Sequence, residues 1–322
     1  MPTLFITIDT EADLWAEYRA ENNPVKNITQ LPGLQQLFDR YGAIPTYLVD
    51  WAVVSDDAAC STLRRIANQG RCEIGMHCHP WNTPPFNEEL SAYNSMLCNL
   101  SPELVRDKLT NLHALISNRL NVRSVTFRAG RWGFSEDVAR SLVELGYTVD
   151  TSVSPTVTWS EDHGPDFTSA IARPYRLDPS DIHREKPDGD LLEVPPTIGF
   201  WQKNHSRQLA RQKRLSKDLS KRLHILGILD RLHLLNNRWL SPEQSSGSDM
   251  IKLAKSAVRE GHDVLNMCFH SNSLLPGATP FARDVAERDR LLDRIRILLA
   301  FAVERGYKFA PLSSAANDRG PE

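Results

Sequence analysis

Leu4-Phe5-Ile6-Thr7-Ile8-Asp9-Thr10-Glu11 and Cys72-Glu73-Ile74-Gly75-Met76-His77-Cys78-His79-Pro80-Trp81 share one pattern. In each, an apolar run of strand length ends in carboxylates or imidazoles. Short apolar runs of this kind read as strands buried on both faces, as in parallel sheets. In parallel α/β folds the strand ends converge on the C-terminal face of the sheet or barrel. Two carboxylates and two imidazoles are therefore expected on one rim.

Working outward, the further candidate strands are Ile44 to Val49, Ser124 to Phe127, Tyr147 to Val149, Leu191 to Val194, Val264 to Phe269 and Tyr307 to Ala310. Amphipathic stretches lie between most of them. Ser101 to Leu120 carries Leu104, Val105, Leu109, Leu112, Leu115 and Ile116 at helical spacing, after the start signal Ser101-Pro102-Glu103. Ser135 to Leu145 is closed by Gly146, and Asp284 to Glu304 by Gly306. These punctuation marks are those of helix termini. Strand–helix alternation implies a parallel sheet with helical crossovers, and about eight strand candidates favour a closed (β/α) barrel over an open sheet.

Residues 1–322 are read as one barrel domain with an insertion at about 200–247. From Phe200 to Leu240 ten Lys or Arg (203, 207, 211, 213, 214, 217, 221, 222, 231, 238) face two acids, Asp218 and Asp230. Gln208 to Leu235 reads as one or two helices carrying Leu209, Leu215, Leu219, Leu223, Leu226, Leu229 and Leu232. The segment around Ser241-Pro242 and Ser245-Ser246-Gly247-Ser248 reads as a loop. The basic segment is either a solvated amphipathic helix or subunit contact, or a surface that attracts an anionic substrate. In the second case the partner is an acidic glycan, a nucleotide sugar or a lipid-linked sugar, with peripheral inner-membrane contact through 203–238. Trp201 and His205 do not make an aromatic platform, so nucleic acid is not an expected partner.

The net charge of -2 and 41% hydrophobic content describe a chain with a real core and no global bias toward polyanions. No run of 18 apolar residues exists, so no membrane-spanning helix is expected. The start, Met1-Pro2-Thr3-Leu4-Phe5, has no basic leader before the first strand. Cysteines at 60, 72, 78, 98 and 268 are odd in number and lack paired-ligand spacing. Free thiols and a cytoplasmic location are the expectation.

The chemistry-bearing residues fall at strand ends. Asp9 and Glu11, two apart on a strand, point to one face. One can bind a metal while the other takes a proton; the alternative is an Asx-type turn. His77 and His79 have the same spacing and suit two-point ligation. With one of the acids they make a one-carboxylate, two-histidine set with positions open to water, the pattern of a catalytic zinc-type site. In Phe127-Arg128-Ala129-Gly130-Arg131-Trp132-Gly133, Arg128 can fix a carboxylate, or simply cap a rim loop. Gly130 and Gly133 would let backbone N–H groups approach a ligand. Asp150-Thr151-Ser152 ends another strand, as a turn or a site. His270, leaving the Val264 to Phe269 strand, is a candidate general acid or else a core histidine. Core packing does not require five strand ends to carry such residues. Metal-assisted hydrolysis is the chemistry they suit together.

These five motifs, in order from Asp9 to His270, resemble the polysaccharide deacetylase (NodB homology, carbohydrate esterase family 4) superfamily. The histidine stretch, together with Phe269-His270-Ser271 through Pro276-Gly277-Ala278-Thr279-Pro280, resembles the branch named for WalW. The resemblance implies a distorted (β/α) barrel with about seven strands. It implies a divalent metal, zinc by family habit, held by Glu11, His77 and His79. Asp9 would be the base, Arg128 its orienting residue, and His270 the acid that protonates the leaving group. Asp150 would support the site. Gly130, Arg131, Trp132 and Trp81 would form the substrate and oxyanion side. The implied activity is removal of an N-acetyl group from an amino sugar or glycan. Three departures stand out: the family's second motif spaces its histidines four apart, whereas Trp81 stands there and the second histidine is His79. Gly130-Arg131 replaces a Pro-aromatic pair, and Val153 replaces an aromatic. An amidase or imidase acting on a small non-sugar substrate, an O-deacetylase, and a non-catalytic carbohydrate-binding barrel are the competing readings.

Overall fold

The computed structural model describes residues 1–15, 17–215, 231 and 234–317. Twelve strands are described: β1 (Thr3–Thr10), β2 (Thr46–Val49), β3 (Glu73–Cys78), β4 (Thr126–Ala129), β5 (Val149–Asp150), β6 (Tyr175–Asp178), β7 (Asp181–Glu185), β8 (Leu191–Glu193), β9 (Ile198–Phe200), β10 (Asn237–Trp239), β11 (Val264–His270) and β12 (Lys308–Phe309). The helices are α1 (Leu31–Tyr41), α2 (Trp51–Ser55), α3 (Asp57–Ala67), α4 (Pro102–Leu120), α5 (Glu136–Glu144), α6 (His205–Leu215), α7 (Gly247–Arg259) and α8 (Val285–Glu304).

Seven strands run parallel in the order β11-β1-β2-β3-β4-β5-β8. β6 and β7 extend the β8 edge as an antiparallel pair, and β12 pairs with the start of β1. No ladder joins β8 to β11. Single bonds cross that gap instead. Thr197 N–H donates to the Asn266 carbonyl at 2.8 Å, Leu240 N–H to the Thr197 carbonyl at 2.8 Å, and Cys268 N–H to the Leu240 carbonyl at 3.1 Å. This is a distorted barrel with the run of about seven strands that the family resemblance implies.

Alternation along β1 sets the layers. Leu4, Ile6 and Ile8 join the large core beneath the helices, while Phe5 packs with Val149, Leu192, Val194, Leu312 and Ala315. The next residue on the Phe5 face, Thr7, meets Asn266 and Arg128, and the one after is Asp9. The interior thus passes from an apolar plug, through a polar layer, to the site at the strand ends.

The helices begin where the sequence signals them. Ser101, Ser135 and Asp284 each accept a backbone N–H at the N-termini of α4, α5 and α8, contacts worth about 1 kcal/mol each. α4 buries Val105, Leu109, Leu112, Ile116 and Leu120 against the barrel. Its buried Lys108 donates to the carbonyls of Pro80, Thr83 and Pro85, at 2.9, 2.7 and 2.7 Å, and so holds the loop that leaves His79.

The insertion is bracketed by the antiparallel pair of β9 and β10, with Phe200 opposite Asn237. The chain therefore leaves and returns at one place. α6 covers the first part of the expected helical stretch; residues 216–230, 232 and 233 of the basic segment lie outside the described residues. Ser241, Glu243 and Ser245, after β10, are buried, and Glu243 lies against the ring of His270.

Candidate active site

Asp9, at the end of β1, is buried and receives Arg128 Nη1 on Oδ1 at 2.6 Å. Arg128, on β4, crosses the barrel to do this. Its other donors go to the Thr7 hydroxyl at 2.7 Å, the Thr151 carbonyl at 3.0 Å and the Thr151 hydroxyl at 3.1 Å. The guanidinium is fixed from three sides, and its fork geometry leaves one direction for the carboxylate. Burial alone would raise the Asp9 carboxyl; the charge of Arg128, with His77 and His270, holds it below its ordinary value.

Glu11, His77 and His79 place one ligand atom each within 4.8 Å of one another, and all three residues are buried. His79 Nε2 lies 2.6 Å from Glu11 Oε2 and 3.1 Å from His77 Nε2, and His77 Nε2 lies 3.5 Å from Glu11 Oε2. His77 Nδ1 is 3.0 Å from the Arg128 carbonyl. A carbonyl only accepts, so Nδ1 carries a proton; Nε2 faces Glu11 and is the atom through which His77 would ligate a metal. This is the usual way a ligating imidazole is oriented. Burial would raise Glu11, but hydrogen bonds from His77 and His79 pull it well below the carboxylate range. Burial and the neighbouring His77 hold His79 below the ordinary histidine value, which keeps it neutral.

The donor set fits a divalent cation. Nitrogen ligands at about 2.0–2.1 Å from a tetrahedral zinc stand roughly 3.3 Å apart, and the separations of 2.6, 3.1 and 3.5 Å bracket that value. A carboxylate and two converging imidazoles are the ligand chemistry of zinc-type catalytic sites. His79 reaches the cluster despite its two-residue spacing because β3 is still extended at Cys78. Pro80–Asn82 then form a short 3₁₀ turn, which brings the Trp81 ring to 4.1 Å from the His79 ring, stacked at 30°.

Outer contacts fix the ligands. Asn272 Nδ2 donates to Glu11 Oε1 at 3.0 Å and to the Ala12 carbonyl at 3.2 Å. Asn27 Nδ2 donates to the Glu11 carbonyl at 2.8 Å, and the Ser271 hydroxyl accepts Glu11 N–H at 3.2 Å.

His270, at the end of β11, places Nε2 3.6 Å from Asp9 Oδ2. Its Nδ1 lies 2.9 Å from Glu243 Oε2, and its backbone N–H donates to Glu243 Oε1 at 3.1 Å. Burial would lower this imidazole, but the Glu243 charge and hydrogen bond, with Glu11 and Asp9, push it up to about 10.

Asp150 lies one step behind. It accepts the Ser152 hydroxyl at 2.6 Å, and Ser152 Oγ accepts Ala129 N–H at 2.8 Å, so Asp150 braces the end of β4. Burial raises the Asp150 carboxyl, and beside it Glu193 is raised well above its ordinary value.

A cavity of about 370 Å³ opens over this cluster, and Trp81, Arg131 and Trp132 line it together with Asp9, Glu11 and His270. Gly130 does not line it. A Cβ there would meet His79 Nδ1 at 2.2 Å and the Cys78 carbonyl at 2.7 Å, so Gly130 is the floor under His79. Arg131 and Trp132 both adopt left-handed backbone, with φ 53° and 61°.

Sequence reasoning did not single out Glu243, Asn272, Asn27 or Glu193, nor Trp15 and Tyr18 at the cavity. Glu243 is the one acid between Asp230 and Asp249, which was its only mark in the sequence.

No family model and no curated protein matches this sequence. Solved structures match its fold. A protein from Mycobacterium smegmatis assigned as a polysaccharide deacetylase has a TM-score of 0.55 at 13% identity, covering 98% of this chain and 90% of that one. A protein from Parabacteroides distasonis assigned as a glycoside hydrolase/deacetylase has a TM-score of 0.61 at 12% identity, covering 98% of this chain and 71% of that one. At such identities the likeness establishes a shared fold, the mostly parallel α/β barrel of NodB-type deacetylases.

Proposed function

We propose that this chain is a metal-dependent hydrolase that removes the acetyl group from an N-acetylated amino sugar or glycan. The observation that carries the reading is the buried Glu11–His77–His79 cluster, set between an arginine-held Asp9 and a glutamate-held His270. Glu11, His77 and His79 would hold the metal, for which zinc is our choice. Such an ion polarises a carbonyl and acidifies an attacking water.

The remaining steps belong to side chains. Asp9, ionised and held through Oδ1 by Arg128, accepts the water proton on Oδ2. The left-handed turn at Arg131 and Trp132 is our assignment for the oxyanion side. His270, protonated because of Glu243, delivers its Nε2 proton to the amide nitrogen as the C–N bond breaks. Acetate and a free amino sugar leave. Asp9 Oδ2 and His270 Nε2, 3.6 Å apart, form a base and an acid whose environments push their pKa values in opposite directions.

The test is acetate release by metal-loaded protein from N-acetylated sugars in gluco, galacto and manno configuration. Release that requires both metal and Asp9 supports the reading. Hydrolysis of ureides or imides with no acetate from any sugar would replace it with the amidase reading.

A further inference from the structure

The rim of the cavity is stitched together between loops. The Arg131 guanidinium, after β4, donates to the Tyr18 hydroxyl at 2.6 Å in the loop after β1. It also donates to the Ser95 hydroxyl in the loop after β3, and pairs with Asp162, after β5, at 3.6 Å. Tyr18 in turn packs on Trp81 at 5.1 Å, and Trp132 stacks on Trp159 at 6.3 Å with 8° between planes. On the other side, Trp15 meets Phe281, in the loop after β11, edge-on at 5.2 Å.

A cleft for the interior of a polymer needs two gaps, on opposite sides of the reacting group, for the chain to enter and leave. Among the described residues the loops from β11 round through β1, β3 and β4 to β5 are joined one to the next. Past Trp159 the rim continues at Trp239, whose ring lies 5.4 Å from Trp132. The cavity volume of about 370 Å³ is near the small end of the ~300–1,000 Å³ usual for small-molecule sites. Its walls are aromatic, which suits the apolar C–H face of a pyranose. The rim is also built at a cost. Arg131 and Trp132 are non-glycine residues held in left-handed backbone, which only the surrounding contacts sustain.

Resting on the deacetylase reading above, we infer that the site is a pocket for a single acetylated sugar ring, either free or at the end of a glycan. It excludes the interior units of a polymer.

The experiment compares N-acetylglucosamine with its β-1,4-linked dimer, tetramer and hexamer, and the corresponding galacto and manno monomers, on metal-loaded enzyme. Products are located by mass spectrometry. The expected result is one acetyl lost per oligomer, from a terminal unit, with kcat/KM changing less than about threefold with length. Attack on monomers alone assigns the free sugar; attack on oligomer ends assigns a glycan terminus. Interior deacetylation, or kcat/KM rising tenfold or more with length, overturns the inference and leaves the deacetylase reading standing. If no sugar turns over, tryptophan fluorescence of the Asp9→Asn protein is titrated with the same compounds. Equal Kd for monomer and hexamer keeps the pocket, whereas tenfold tighter hexamer binding overturns it. Binding of none removes the sugar reading and the inference with it.

Discussion

Glu243 holds His270 at two points: one carboxylate oxygen takes the backbone N–H at 3.1 Å, and the other faces ring Nδ1 at 2.9 Å. The two residues are 27 apart in sequence, on either side of α7. This grip fixes the ring, turns Nε2 toward Asp9, and keeps a proton on the imidazole at neutral pH.

The sign of the pH effect follows. The folded pKa of His270 is raised from 6.5 to about 10. Its contribution to stability is therefore full below pH 6.5 and is lost as pH rises through about 10. For an acid catalyst the same proton is needed for turnover. In Glu243→Gln the alkaline limb of kcat/KM is expected to move down by at least one pH unit, toward the ordinary histidine range of about 6.5. An unmoved limb would show that another group is the acid.

Asp9→Asn keeps the shape of the side chain and removes its basicity. Metal content should stay near wild type while kcat falls ~10²-fold or more; the melting temperature should drop, because Arg128 is left buried without its counter-charge. Turnover within a few fold of wild type would remove Asp9 from the base role.

Arg128→Met strands the Asp9 carboxylate. Breaking a buried pair by removing one partner costs about 3–5 kcal/mol, and the Asp9–Arg128 pair is almost wholly buried. Urea denaturation should show a loss of that size, partly restored in the Asp9→Asn/Arg128→Met double variant. A loss under about 1 kcal/mol would mean the pair is far better solvated than its burial indicates.

Metal stoichiometry by elemental analysis separates the ligands from their supports. Wild type should hold one divalent ion per chain, and His79→Ala should lose it. Asn272→Ala removes the amide that orients Glu11 and should weaken affinity ~10–100-fold. Retention of full affinity in His79→Ala would move the second nitrogen ligand elsewhere.

Gly130→Ala tests the floor of the site. The added methyl would lie 2.2 Å from His79 Nδ1 and 2.7 Å from a backbone carbonyl, neither of which can retreat cheaply. Zinc affinity should drop at least tenfold with the circular dichroism spectrum unchanged. Wild-type affinity would show that His79 is free to shift.

Much of this was readable before folding. All eight candidate strands appear within two residues of their expected starts, because apolar runs bounded by turn residues leave few alternatives. The caps Ser101, Ser135 and Asp284 start helices because their oxygens satisfy local N–H groups. The position of Asp9, Glu11, His77, Arg128 and His270 at strand ends was likewise local information, since a parallel sheet sends all such ends to one face.

What tertiary structure alone decided is every contact made across the barrel. The short β6–β7 and β9–β10 pairs had no apolar run long enough to announce them. Glu243 sits in a Ser-Pro-Glu-Gln-Ser stretch that reads as an exposed turn, and only the return of the chain beside β11 carries it to His270. Arg131 is expected from the family resemblance on the substrate side of the site; its role as the tie between three loops exists only once those loops stand together. Periodicity and local hydrogen bonding act within a few residues. The pairing of charges and rings from distant segments depends on how the barrel closes, and no local pattern encodes that.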